Sequence, residues 1–532
     1  MRLQAAPCTG APPDMTVHAR VFANSYRDSV ELMQIAVSLE AVEGIERAGL
    51  VMATPANRDV LARAGLLTDA AADAGPNDLV VAVAATDAAA ATAAFELAAG
   101  SLAGHGLQDG GGEVVRTQAR TIAEAVAALP GASIALISTP GSYAAAEAMK
   151  ALKRGLHVFL FSDNVTIDEE IELKALGRRS GLMVMGPDCG TAILDGVPRG
   201  FANVVRRGRI GLVAASGTGL QQVSVLIDRD GAGVSQAIGV GGRDLHERVG
   251  GAMMLDGLAR LAADPGTDVI VLISKPPSDA VAEVVLRAAA TAGKPVVVNF
   301  LGGDATRIAE GGAVPAGTFE AAASVAVALS RGQGVPGDTG IGDVRLDPDL
   351  RDAAATAASG LDDGRVLVRG LYSGGSLAGE AKLIIRAALG DGAVDTVRIL
   401  DLGDDEYTVG RPHPMIDPRL RTEMLHEALR DPATAVVLLD VVLGPGASAD
   451  PAGPLAATIA EARRGPGVSG RQVAVVASVC GTTSDPQGLA AQEAALAGVG
   501  VIVAGSNAKA ARAAALIVEG RVVPAAQPTG RA

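Results

Sequence analysis

Residues 208–220, GRIGLVAASGTGL, and residues 364–377, GRVLVRGLYSGGSL, share one plan. An apolar run stops at small Gly, Ser and Thr residues, and a helical pattern follows. A strand that ends this way passes into a helix whose first backbone N–H groups have no partner in the helix itself. The likeness continues along the chain: DVIVLISKPP (268–277) parallels AVVLLDVVLGPG (435–446), and KPVVVNFLGG (294–303) parallels RQVAVVASVCGT (471–482). Three loops matched in order make 208–333 and 364–520 two copies of one βα unit. Strands this apolar, alternating with helices, are parallel and covered on both faces. Ligands of such sheets lie at the carboxyl ends of the strands.

Upstream, SIALIS, HVFLFS and GLMVMGPDCGT read as three more strands, joined by a helical YAAAEAMKALKRG. Before them, short strand-like runs alternate with helices over residues 16–104, a small α+β layer of ferredoxin-like type. The expected division is a disordered tail at 1–15, a small α+β domain at 16–104 and a linker at 105–112. A Rossmann-like domain follows at 113–205, a flavodoxin-like domain at 206–333, a linker at 334–362 and a second flavodoxin-like domain at 363–524.

Bulk properties remove several functions. The net charge is −14, aromatics are 2% and Trp is absent, which argues against nucleic-acid binding, since that needs a basic face and stacking rings. No apolar run of membrane-spanning length occurs, and the first residues lack a signal-peptide core. Three cysteines form neither a disulfide framework nor a CxxC pair, so a cytoplasmic setting is expected.

MGPDCGT (185–191), RIGLVAASGTG and IGVGGRDL (238–245) resemble the α subunit of succinyl-CoA synthetase in order and spacing. The second copy resembles the CoA-ligase domain of the β subunit. FSDNVTIDEEIELK, ISKPP, DLGDDEYTVGRPHPMIDP and LLDVVLGPGASADPA extend the likeness. On these strings the chain is similar to the FdrA family over about residues 16–520. The resemblance implies an α/β fold: a Rossmann-like CoA-binding domain at 113–205 of degenerate form, two flavodoxin-like CoA-ligase domains, and a small α+β domain in front. It also implies an acyl-CoA synthetase-like enzyme. FdrA-type proteins are linked to allantoin and purine catabolism, as a subunit of an oxamate carbamoyltransferase that exchanges a carbamoyl group between oxamate and phosphate. Companion subunits, and a homo-oligomer, are implied with it.

Ser216, Gly217, Thr218 and Gly219 form the clearest anion site. A helix N-terminus carries about half a unit of positive charge and free donors. Simple capping by Ser216 and Thr218 is the alternative. Ser373, Gly374, Gly375 and Ser376 repeat the motif. Gly241, Gly242 and Arg243 form a turn in which an arginine can clamp a carboxylate or phosphate, or stand solvated. Gly186, Pro187, Asp188, Cys189, Gly190 and Thr191 lie at the expected ligand edge; Cys189 reads as a small packed residue rather than a nucleophile. In the superfamily a histidine is phosphorylated after the strand that here reads VVVNF, and Glu310 stands in its place, where an acyl phosphate is conceivable. None of the six histidines falls in that context.

Arg411 and His413 sit in a proline-stiffened string, RPHP, and are candidates for assisting transfer. Asp404, Asp405 and Glu406 replace a glycine run of the superfamily. They can hold a divalent cation, meet a cationic or amide substrate, or form a solvated acidic turn. No counterpart of the nucleotide-grasp domain is present, so ATP is not supported. Phosphate or acyl phosphate is the expected ligand, with CoA also open. The leading expectation is an acyl or carbamoyl transferase subunit with the two helix starts and the RPHP loop around one cleft. An NDP-forming acyl-CoA synthetase and a non-catalytic scaffold are the alternatives.

Overall fold

The computed structural model describes residues 15–25, 27, 29–104, 119–390, 395–408, 412–464 and 473–521. The expected tail before residue 15 and the expected linker at 105–112 lie outside the described residues. The chain divides into two compact units: Met1–Gln118 with Asp405–Asp417, and Ala119–Asp404 with Pro418–Ala532.

The first unit is built on a three-stranded antiparallel sheet. Strand Leu79–Ala85 lies between Thr16–Phe22 and Ile45–Met52. The outer strands are joined through helix Ser29–Glu40, so this is the split βαβ arrangement of ferredoxin-like domains. Every residue of Leu79–Ala85 is buried. Leu79, Val81 and Val83 pack with Leu39, Ala94 and Ala98. Val80 and Ala82 face the other way, onto Leu61 and Leu66. Covering on both faces explains why the strand is continuously apolar rather than alternating.

The second unit holds three sheets. Ile134–Ile137, His157–Leu160 and Val184–Met185 form a small parallel sheet. The two copies then follow, each with a sheet of its own. In the first, strands Arg207–Ala214, Val234–Gly239, Val269–Ser274, Val296–Phe300 and Val314–Pro315 are ordered second, first, third, fourth, fifth across the sheet. In the second, Leu367–Tyr372, Val397–Asp401, Thr434–Val442, Ala474–Cys480 and Ile502–Ala504 take the same order. This is the flavodoxin-like order, with its crevice where the direction of winding reverses. The protein is thus an α/β chain with two flavodoxin-like domains, as its repeated motifs imply.

Two features depart from the sequence pattern. Thr191–Leu194 and Val197–Gly200 form a hairpin that pairs antiparallel with Val234–Gly239, enlarging the first copy's sheet to seven strands. Residues 334–362, expected as a linker, contain helix Pro348–Gly360, with Pro348 in its first turn. Proline is preorganised for that position, and the Ala-rich run behind it sustains the helix.

The copies are tied by buried polar contacts. Asn203 donates through Nδ2 to Leu443 O at 2.9 Å and to Asp485 Oδ2 at 2.8 Å. Asp485 also accepts from Val204 N at 2.7 Å and Thr482 N at 2.7 Å. Arg229 donates to the carbonyls of Val479 and Gly481 at 2.6 and 2.8 Å. The 200–205 segment therefore fills the carboxyl edge of the second copy's third and fourth strands.

A second network fixes the loop after Val234–Gly239. Buried Lys174 donates to Glu170 at 2.7 Å, to Asp244 at 2.8 Å and to Val240 O at 3.1 Å. Asp244 accepts from Met253 N and Met254 N at the start of helix Ala252–Ala263. Removing one partner of such a cluster leaves a buried charge uncompensated. Lys174→Met is expected to lower stability by about 3–5 kcal/mol, read as a fall in the denaturant midpoint.

Candidate functional site

The strand Arg207–Ala214 delivers Ser216 to the start of helix Gly217–Arg229. Ser216 caps that helix, its Oγ accepting from Gly219 N at 3.1 Å. The same hydroxyl lies 2.7 Å from the Oγ of Ser376, in the first turn of helix Gly375–Leu389. The two helix starts meet. Close approach requires glycine at 374: a Cβ there would come within 2.8 Å of the Thr218 side chain. Phe319 backs the first start, and a Cβ on Gly219 would sit 2.9 Å from its ring.

The two starts differ in charge. Ser373 N and Gly374 N donate to the buried Asp440 carboxylate, each at 2.8 Å. Ser373 Oγ bonds it as well, at 3.1 Å. Arg421 donates to the same Oδ1 that accepts from Ser373 N, at 2.8 Å. The expected anion at Ser373–Gly375 is therefore in large part the chain's own. Asp401 adds a second carboxylate, since a Cβ on Gly375 would clash with its Oδ2. Burial, with Asp440 and Asp404 nearby, raises the Asp401 pKa, and Lys275 opposes that.

In the first copy the strand register puts Ser274 where Asp440 stands in the second. Serine carries no charge, and among the described residues no protein acceptor takes the N–H of Gly217 or Thr218. The first helix start thus has no carboxylate in the place where the second has Asp440, while both leave the N–H groups of their first two helical residues without a protein acceptor among the described residues.

Other residues named from the sequence gather on the same edge. A Cβ at Gly239 would sit 2.2 Å from Thr191 O and 2.6 Å from Cys189 Sγ; one at Gly241 would sit 2.2 Å from Pro187 O. Gly241, at φ +85°, adopts the left-handed conformation that favours glycine. The 186–191 loop therefore packs against the 239–242 turn, and Thr191 Oγ1 lies 3.4 Å from where a Cβ on Gly217 would be. Cys189 is buried and its thiol is pushed up to about 12 by burial, so it is neutral at physiological pH. Arg243 pairs with Glu170 at 3.0 Å and donates to Val165 O at 2.7 Å.

Glu310 is the exposed last residue of helix Ala305–Glu310, and among the described residues no hydrogen bond or ion pair joins it to these helix starts. Arg411 lies outside the described residues. His413 belongs to the Asp405–Asp417 segment, which groups with the N-terminal unit. Burial lowers its pKa to about 4, and its Nδ1 accepts from Met415 N at 3.2 Å. It is neutral at pH 7, which removes it as a ready proton donor. The side chain of Asp405 lies outside the described residues, and among those described no cluster of three metal-ligating side chains occurs.

Sequence reading overlooked Asp440. Asp440 had a visible signal: a single charge inside the apolar run AVVLLDVVL demands a buried partner. Farther along helix Gly375–Leu389, a cavity of about 520 Å³ is walled by Phe300, Ile308, Pro315, Ile341 and Leu383, with Arg386 on its lining.

Comparison with known proteins follows the same division. A CoA-ligase model matches residues 371–517 and a CoA-binding domain model matches 205–302, within the first flavodoxin-like copy. Residues 15–118 match the AllF heavy metal-associated domain, although none of Cys8, Cys189 and Cys480 falls there. The chain is 40% identical over 515 residues to the uncharacterized protein YahF of Escherichia coli, covering 93% of this chain and 97% of that one. It is 29% identical over 197 residues to a mitochondrial succinate–CoA ligase [ADP-forming] subunit alpha-2 of Trichomonas vaginalis, covering 35% of this chain and 62% of that one. Among solved structures, ATP citrate lyase from Methanothrix soehngenii in complex with citrate and coenzyme A matches at 21% identity. That match has a TM-score of 0.35 and covers 44% of this chain and 45% of the other. No described helix is long and apolar enough to cross a membrane. With two ligase-type folds in one chain and a relative matched nearly end to end, the protein belongs to the FdrA family, within the succinyl-CoA synthetase-like CoA-ligase group.

Proposed function

We propose that the chain is an enzyme subunit that transfers a small acyl or carbamoyl group to or from phosphate, as part of an oxamate carbamoyltransferase in allantoin breakdown. The observation that carries this reading is the open start of helix Gly217–Arg229, set against a partner start already neutralised by Asp440. Gly217 and Thr218 offer backbone donors, and the Thr218 and Ser376 hydroxyls add more, while the Ser216 hydroxyl donates to Ser376 Oγ. A phosphate bound there has one of its oxygens free to attack a carbonyl carbon. In the carbamoyl case, that oxygen bonds the carbamoyl carbon while the bond from this carbon to the oxamate nitrogen breaks. The nitrogen leaves with a proton. The reverse step regenerates phosphate. None of the six histidines falls in the superfamily's phosphohistidine context, so direct transfer is favoured over a phosphoenzyme. Partner subunits are part of this proposal.

The matches to CoA-binding and CoA-ligase models support a second reading, an NDP-forming acyl-CoA synthetase. One assay separates the two. Carbamoyl phosphate with oxamate is expected to release phosphate when partner subunits are present and not when the chain is alone. ATP, CoA and succinate are expected to give no thioester. Thioester formation with a phosphorylated histidine reverses the assignment.

Two further outcomes follow from the site. Gly219→Ala places a methyl 2.3 Å from Ser216 Oγ, so it should weaken phosphate binding about tenfold, measured calorimetrically, through the displaced cap. Burial raises the thiols of both Cys189 and Cys480. In a Cys8→Ser background, iodoacetamide at pH 7.5 should label neither in the folded protein, with activity retained.

A further inference from the structure

Glu380 lies one turn beyond Ser376 on the face of helix Gly375–Leu389 that meets the first copy. It is fully buried. Its Oε1 accepts from Phe319 N at 2.6 Å, at the start of helix Phe319–Ser330 in the first copy. Its Oε2 accepts from Asn507 Nδ2 at 2.7 Å, and Asn507 in turn donates to Leu377 O and accepts from the Tyr372 hydroxyl. Phe319 is the residue whose ring backs Gly219. One carboxylate therefore links the second copy's helix to the residue that shapes the first copy's open helix start.

Its electrostatic surroundings are sparse. From helix Phe319–Ser330 comes Glu320, held by Lys509 at 3.4 Å and by Ser506. Lys509 also pairs with Asp347, which precedes helix Pro348–Gly360. Asp440 and Arg421 stand beyond Tyr372. Burial raises Glu380 to about 7, with Glu320 adding to the rise while the bonds from Asn507 and Phe319 oppose it.

We propose that Glu380 is a positioning residue for the Ser216–Gly219 helix start, and that an anion entering there is accompanied by a proton taken from solvent onto Glu380. The inference rests on the reading of that helix start as the anion site. The sign follows from linkage: a bound anion favours the protonated carboxyl, so affinity is highest at low pH and falls as pH rises through the carboxyl's midpoint. Holding Phe319 is the positioning part of the role, and carrying the proton is the electrostatic part.

Sulfate is the probe, because it does not itself titrate between pH 6 and 9. In the native chain its affinity should fall about fivefold from pH 6 to pH 8, for a coupling of about one pKa unit. Calorimetry in two buffers of different ionisation heat should show about 0.4 proton taken up per sulfate at pH 7. Glu380→Gln should abolish both the uptake and the pH slope. Phe319→Leu should bind sulfate about threefold more weakly while keeping the uptake. Sulfate binding with an unaltered slope in Glu380→Gln overturns the proposal and leaves the anion site standing. Native affinity in Phe319→Leu overturns the positioning part. Zero proton uptake in the native chain overturns the linkage even if Glu380→Gln does not fold. No sulfate binding by the native chain removes the anion site and this proposal together.

Discussion

Two helix N-termini that point at each other repel. Each carries about half a unit of positive charge from its unpaired N–H groups, and the Ser216 and Ser376 hydroxyls are only 2.7 Å apart. The arrangement persists because negative charge is built in beside it. Asp440 neutralises the second start through Ser373 N and Gly374 N, and Asp401 lies against Gly375. The first start has Ser274 in the corresponding strand position. The junction thus has a built-in carboxylate, itself paired with Arg421, at the second start and none in the corresponding place at the first. On the proposed reading, that imbalance, more than the glycines, is what favours an anion at the first start.

The rest of the second unit keeps the two starts in register. Gly374 allows Thr218 to approach, Glu380 fixes Phe319 behind Gly219, and Asn203 with Asp485 locks the preceding segment onto the second copy's strand ends. These are buried polar contacts. Each is costly if left half-made, so the copies have little freedom to slide while they persist. The Lys174 cluster does the same for the 239–244 turn, which carries Gly241 and Gly242 to the site edge.

Much of the fold was legible because parallel α/β units write themselves plainly: apolar strand, small-residue loop, helix, repeated. The paired strings at 208–220 and 364–377 led to two sheets of identical strand order, and the helix starts could be placed from Ser216 and Ser373 alone. The hairpin at 191–200 was hidden because its pairing partner, Val234–Gly239, lies far away in sequence, and two short antiparallel strands have no periodic signature. The helix Pro348–Gly360 was masked by the Gly-rich stretch before it. Charge at the site was less legible still. Ser373–Gly375 looks like an empty cradle until the fold brings Asp440 across from another strand. His413 looked reactive because its intrinsic pKa is near neutrality, whereas burial removes that property.

Duplication followed by internal neutralisation has a consequence for the chemistry. Two equivalent cradles facing each other would suit a ligand passed between them, as a carrier residue does when it visits two sites. Once one cradle holds its own carboxylate, fixed by Arg421 and sealed from water, a shuttled anion has nowhere to go. On the proposed reading, the reacting group arrives at the first cradle already in contact with its acceptor. Direct transfer between two bound small molecules is the chemistry we propose for such a junction, and it needs neither a mobile histidine nor a second phosphate site.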